Sequence, residues 1–276
     1  EGNALLIETP HGRAFHTGDW KIDETPVLGE PSSHEALEQI GDKGVLALVC
    51  DSTNVFQNEA SGSELPVHEG LRQEVEKARG RVVITTFASN AARLQTIGRV
   101  ANETGRQVCM AGRSLDRIVR VAKSTGYLQD FPESIGFDEA MRLPRREVLI
   151  LATGGQGEQR AALGRIALGN HDLKLVEGDT VIFSSKIIPG NEAAIGRIMN
   201  ALSDLGVIIV TDRQAHVHVS GHPGRPELAQ MYDWVRPEII VPVHGEPRHL
   251  AEHARFAQLH GVPAAALQRN GDLVRL

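Results

Sequence analysis

His216-Val217-His218-Val219-Ser220-Gly221-His222-Pro223-Gly224-Arg225 is the stretch on which the reading of this chain turns. Val217 and Val219 alternate with His216, His218 and Ser220, the period of a short strand with one polar face. Gly221 breaks that strand and delivers His222 into a turn. From Pro226 to Val235 the period becomes helical: Pro226 fits the first turn, and Leu228, Met231, Tyr232 and Val235 share one face. Imidazoles and a hydroxyl at a strand end, next to a helix N-terminus, suit a metal ion, a phosphate, or both. A second polar strand end follows at Ile239-Ile240-Val241-Pro242-Val243-His244-Gly245-Glu246, where an apolar strand runs into a histidine and then a helix.

The same arrangement recurs upstream. Val45 to Cys50 is a continuous apolar run, as expected of a strand buried on both faces, and it ends in Asp51-Ser52-Thr53-Asn54. Ala4–Glu8 and Ala14–Thr17 read as a hairpin turning at Pro10-His11-Gly12, with Asp19 just past the second strand. A carboxylate there is either a ligand or a turn cap. Between these flanks the chain alternates strands and helices: strands at 82–86, 107–110, 148–152 and 180–183, each followed by a polar loop and a helix. Such alternation predicts a mostly parallel sheet covered on both faces. The loops Phe87-Ala88-Ser89-Asn90, Gly112-Arg113-Ser114, Thr153 to Glu158 and Ser184-Ser185-Lys186 all fall at strand carboxyl ends, where open sheets bind ligands. Taken singly, their Ser and Asn residues are equally ordinary helix N-caps. No Walker-type or Gly-x-Gly-x-x-Gly pattern opens these helices, which argues against a nucleotide cofactor. The expected division is residues 1–60, an inserted segment 61–205, and 206–276. After 206 come a strand at Val207–Thr211, the histidine strand, the His244 strand, a helix near 247–260 and a closing hairpin at Asn270-Gly271-Asp272.

At 276 residues with 41% apolar and 4% aromatic side chains, the chain has the composition of a globular α/β protein with a sizeable core. Its net charge of −6 argues against a basic nucleic-acid coat but leaves room for a local basic groove. No apolar run reaches the length of a membrane span, so no membrane partner is expected. Two cysteines, Cys50 and Cys109, both in apolar strand-like runs, read as reduced core residues of a cytoplasmic protein. His11, His34, His68, His171, His253 and His260 read as surface or packing residues.

Five motifs in order resemble the ribonuclease J family, of the β-CASP branch of the metallo-β-lactamase fold: His16-Thr17-Gly18-Asp19, Cys50 to Asn54, Thr86 to Asn90, His218 to His222, and Pro242 to Glu246. Ser184 to Glu192 also resembles a β-CASP signature. The resemblance implies a partial metallo-β-lactamase αββα domain with an inserted β-CASP domain. It implies that Asp19 and His244 bind metal, that Asp51 orients neighbouring groups, and that His222 transfers a proton. It further implies that Phe87, Ala88, Ser89 and Asn90, with His218, Val219, Ser220, Gly221 and His222, contact RNA phosphates. The cofactor it implies is zinc, two ions per complete site, with manganese or magnesium as substitutes. The partners it implies are 5′-monophosphorylated RNA, cut exo- or endonucleolytically, and further copies of the chain in a homo-oligomer.

In the family a His-x-His-x-Asp-His cluster supplies most zinc ligands, and it would lie before Glu1. The expectation is therefore of a fragment with little nuclease activity of its own. Two other readings compete: a non-catalytic segment binding RNA or a partner chain, and a metallo-β-lactamase-fold hydrolase acting on a small ester. The long α/β insertion argues against the second.

Overall fold

The computed structural model describes residues 2–275 and falls into two compact units. One contains the residues up to Glu24, Glu30–Ser63 and everything from Ser220 on; the other contains Thr25–Gly29 and Glu64–Val219. The chain enters the first unit through the expected hairpin, β1 (Leu5–Thr9) and β2 (Gly12–His16), with Leu5 opposite His16 and Thr9 opposite Gly12. Helix α1 (His34–Asp42) follows, capped by Ser33, whose Oγ accepts from the Ala36 amide at 3.1 Å. The sequence reading gave no helix there. Strand β3 (Ala47–Asp51) is buried along nearly its whole length, as its continuous apolar run requires.

The second unit is a five-stranded parallel sheet. Its helices are α2 (Leu65–Lys77), α3 (Ala91–Glu103), α4 (Arg113–Ser124), α5 (Phe137–Arg142), α6 (Ala162–Ala167) and α7 (Glu192–Asp204). Its strands are β4 (Val82–Thr85), β5 (Gln107–Ala111), β6 (Val148–Ala152), β7 (Thr180–Phe183) and β8 (Ile208–Val210), in the order β5-β6-β4-β7-β8. The two-residue strand period divides the sheet between two cores. Val82 and Ile84 of β4, with Leu149 and Leu151 of β6, face the core filled by Leu71 of α2, Ile97 of α3 and Leu115 of α4. Val83, Val148 and Ile150 face the other core, with Leu163 of α6 and Ile198 of α7. This is the helix-covered, mostly parallel α/β sheet the alternation predicts.

Two expectations in this unit change. Because β8 is laddered onto β7 and the chain stays here to Val219, the crossing to the first unit comes after the expected 205/206 division. His216–Ser220 also forms no paired strand. Val217 and Val219 are buried as their alternation implies, but the Val217 carbonyl accepts from Ser184 Oγ at 2.7 Å and from the Arg93 guanidinium at 3.2 Å instead of from a neighbouring strand. Arg93, fully buried on α3, also grips both carboxylate oxygens of Glu64 at 3.0–3.1 Å. Side chains thus replace a ladder.

The chain re-enters the first unit to form α8 (Arg225–Val235), β9 (Ile239–Val243), α9 (Pro247–Leu259) and the short β10 (Ala264–Ala265). Leu228, Met231, Tyr232 and Val235 of α8 are buried together with Phe15, Leu48 and Ile240, the face the sequence picks out. The helix begins where it does because Glu227 reaches back to the Gly224 amide at 2.7 Å. A side chain on Gly224 would meet the Glu59 carbonyl at 2.0 Å. The sheet order is β1-β2-β3-β9-β10, parallel except for the hairpin. The turn at 270–272 forms, with the Asp272 amide on the Arg269 carbonyl, but among the described residues no strands flank it. After α9 the chain instead runs parallel to β9 as β10, so the closing hairpin is absent there.

Candidate metal centre

Parallel register decides where the polar strand ends meet. β3 lies between β2 and β9, with His16 opposite Val49 and Asp51 opposite Val243. The next residue of β9 is therefore His244, directly beside Asp51. The Thr17 amide closes the β2 side by donating to the Val49 carbonyl at 3.0 Å. Gly18, in the left-handed region at φ +64, then turns the chain so that Asp19 follows. Asp19, Asp51 and His244 thus come off the carboxyl ends of three adjacent parallel strands, the usual ligand edge of an open α/β sheet. His222 arrives from the turn ahead of α8. Asn54 holds that turn, its Nδ2 donating to Ser220 Oγ at 2.7 Å and to the His222 carbonyl at 3.0 Å.

One ligand atom from each of Asp19, Asp51, His222 and His244 lies within 4.8 Å of all the others. His244 Nδ1 is 3.1 Å from Asp19 Oδ1 and 3.4 Å from Asp51 Oδ1. His222 Nδ1 is 2.6 Å from Asp51 Oδ2. Thr53 ties the group together: its amide and hydroxyl donate to Asp51 Oδ1 at 2.8 and 2.6 Å, and its oxygen stands 3.1 Å from His244 Nδ1. His244 itself adopts φ +57, a conformation costly for a residue with a side chain and concentrated at functional sites. The following Gly245 lets His249 approach, since a Cβ there would lie 2.7 Å from His249 Cβ.

Asp51 is buried, and burial alone would raise its carboxyl pKa. The hydrogen bond and charge of His222, with the Thr53 hydroxyl and amide, outweigh that and hold the pKa below the ordinary carboxylate value. It is therefore an anion at neutral pH, and its Oδ2 is placed to accept a proton from His222 Nδ1. Behind the site His253 is wholly buried, its Nδ1 2.8 Å from Ser52 Oγ; burial brings its pKa down to about 4, so it packs as a neutral ring. Cys50 and Cys109 are buried free thiols whose pKa values burial pushes up to about 12 and about 11, consistent with inert core residues.

Two carboxylates and two imidazoles converging on one point form a donor set suited to a borderline divalent cation such as zinc, and equally open to manganese. Among the residues singled out from sequence, Asp19, Asp51, His222 and His244 come together, with Ser220 and Gly221 in the same unit. Ser220 Oγ accepts from Asn54 and from the His222 amide at 3.1 Å, so it shapes the turn. Phe87, Ala88, Ser89, Asn90, His218 and Val219 belong to the second unit. There Asn90 is the N-cap of α3, accepting from the Arg93 amide at 2.9 Å, and Val219 is core. The sequence reading gave no individual role to Thr53 or Asn54. An Asp followed two residues later by Thr is the spacing of a local side-chain-to-backbone turn, and that signal was available for Thr53. Nothing local could reveal Asn54, whose partners lie more than 160 positions away.

Residues 79–202 match the family description "Ribonuclease J, beta-CASP domain", and residues 208–267 match "Zn-dependent metallo-hydrolase RNA specificity domain". The chain is similar to a ribonuclease J from Sinorhizobium meliloti, 47% identical over 100% of this chain and 49% of the relative. A Mycolicibacterium smegmatis ribonuclease J is 41% identical over 99% of this chain and 50% of the relative. One from Thermus thermophilus is 37% identical over 100% and 49%. The chain spans about half the length of the curated relatives it matches.

Proposed function

We propose, because the chain belongs to the ribonuclease J family, that the protein is a metal-dependent ribonuclease hydrolysing RNA phosphodiesters. The observation that supports this most is the convergence of Asp19, Asp51, His222 and His244 at three strand ends. Asp19 and His244 would hold the metal: zinc, two ions in the complete centre, with manganese or magnesium as substitutes. When bound, the metal offsets charge on the dianionic transition state and brings a water's pKa down toward about 7.

The chain's own residues do the rest. Asp51 presents one oxygen toward His244 and the other to His222, so that it both restrains a ligand and stabilises a cationic imidazole. As the oxygen of an attacking water bonds to phosphorus and the bond from phosphorus to the 3′ oxygen breaks, a protonated His222 would give its Nε2 proton to the departing oxygen and be left neutral, the water's own proton passing to solvent. Thr53 keeps Asp51 and His244 in register. Phe87 to Asn90 and His218 to His222 are assigned to the RNA strand, taking backbone phosphates irrespective of sequence. The reading carries with it 5′-monophosphorylated RNA as preferred substrate, homo-oligomeric assembly and a cytoplasmic setting.

Calorimetric titration with zinc or manganese tests the centre. His244→Ala should weaken binding at least tenfold, and unchanged affinity would remove the metal assignment. His222→Ala should lower cleavage of a 5′-monophosphorylated oligoribonucleotide by roughly 100- to 10,000-fold, the scale of general-acid catalysis, with circular dichroism unchanged.

A further inference from the structure

A buried carboxylate outside the four converging residues draws their segments together. Glu227, the third residue of α8, is only 3% exposed. Its Oε1 accepts from the Ile22 amide at 3.2 Å and the Ser61 hydroxyl at 2.5 Å. Its Oε2 accepts from the Ser61 amide at 2.9 Å and the Gly224 amide at 2.7 Å. Four donors fill the lone-pair sites that a carboxylate offers. Capping α8 needs only the Gly224 amide. The other three donors come from segments 205 and 166 positions away, more than a helix cap requires.

The segments so gathered carry site residues. Asp19 and His222 belong to neither a strand nor a helix, so the hydrogen bonds of regular structure do not place them. Each is held from two sides instead. Ahead of Asp19 the Thr17 amide is bonded to the Val49 carbonyl. Beyond it the Ile22 amide is bonded to Glu227, and Lys21 Nζ donates to the Gly62 carbonyl at 2.9 Å. His222 follows the same plan: Asn54 grips the turn at Ser220 Oγ and at the His222 carbonyl, and just past it the Gly224 amide meets Glu227. One buried side chain is thus the far anchor of both. Ser61, donating twice, fixes the orientation of that carboxylate.

We infer that Glu227 is a positioning residue of the metal centre, setting the separation of Asp19 and His222 by binding the Ile22 and Gly224 amides with one carboxylate. The inference rests on the metal reading above. Glu227→Gln tests it, because whichever way the carboxamide turns, its NH2 faces either the Ile22 or the Gly224 amide, donor against donor. Ser61→Ala is the control: it takes one hydroxyl from the same carboxylate and leaves both of those amides on it. Both variants should unfold at lower urea. Only Glu227→Gln should weaken manganese binding in calorimetry, by about 10-fold, and shift the ring resonances of His222 in the metal-free chain; Ser61→Ala should stay within about 2-fold of the wild type. A folded Glu227→Gln with wild-type manganese affinity and His222 resonances would overturn the role, as would equal weakening in both variants. Where Glu227→Gln does not fold, amide exchange of the wild type decides. Saturating manganese should slow Ile22 and Gly224 together, and the inference falls if either exchanges as in the metal-free chain. A wild type that binds no manganese removes the metal reading instead, and the metal-free His222 resonances then judge Glu227 alone.

Discussion

At the scale of single residues, Thr53 is the side chain on which the centre's geometry most depends without being a ligand. It donates to Asp51 and touches His244, so its loss frees both. Thr53→Val should lower zinc affinity about 10- to 100-fold, the usual effect of removing a group that orients ligands, whereas Thr53→Ser should restore most of it. Equal affinities in calorimetry for the wild type and Thr53→Val would count against this role. His253 makes a separate, pH-dependent contribution. The unfolded chain protonates this ring below about 6.5 and the folded chain only below about 4, so its contribution to stability is complete above 6.5 and is lost as pH falls to 4. Two to three pKa units correspond to roughly 3 kcal/mol. Urea unfolding at pH 7 and pH 4.5 should show a smaller fall in His253→Gln than in the wild type; identical falls would refute the assignment. Asp51 and His244 stand out in the sequence because each ends an apolar run. The residues that hold the His222 turn do not, since Asn54 and Ser220 are joined only by folding.

At the scale of elements, nearly every strand and helix of the inserted unit follows from hydrophobic period and strand-end loops. The misread stretch is instructive. Val217 and Val219 carry strand alternation faithfully, yet Arg93 and Ser184 take the Val217 carbonyl that a ladder would have used. Period reports burial; it cannot report which partner satisfies the backbone. Arg93 is thus both a tether for that segment and a buried charge opposite Glu64. Arg93→Met takes the guanidinium away from the Glu64 carboxylate and should cost about 3–5 kcal/mol, while adding Glu64→Gln should recover part of it, both read by chemical denaturation. Helix α8 offers a sterically simpler test. Gly224→Ala drives a methyl into the Glu59 carbonyl, so the helix start must shift and carry His222 with it. A variant that keeps wild-type stability and metal affinity would show that this contact is not a constraint.

At the scale of the whole molecule, three hydrophobic cores among the described residues stay within their units, one in the first and two in the second. Metal binding at the proposed ligands Asp19 and His244 should therefore stabilise locally. With saturating manganese, hydrogen exchange should slow at the ends of β2, β3 and β9 and at the start of α8, while β4 to β7 exchange as before. Uniform slowing in both units would contradict that partition. The first change of unit, between Ser63 and Glu64, lies at the polar segment near Asn58 to Glu64, whereas no local signal marks the return after Val219, because β8 continues the sheet.

The placement of β9 beside β3 has a consequence for biosynthesis. As the polypeptide leaves the ribosome, β3 emerges ahead of the insertion, but the neighbour that covers its open side is translated only after all of it. During that interval β3 presents an unpaired apolar margin, a known aggregation hazard. Prompt, independent folding of the insertion would bring the late strand home sooner, so substitutions that slow it should depress soluble yield even when they lie nowhere near a ligand.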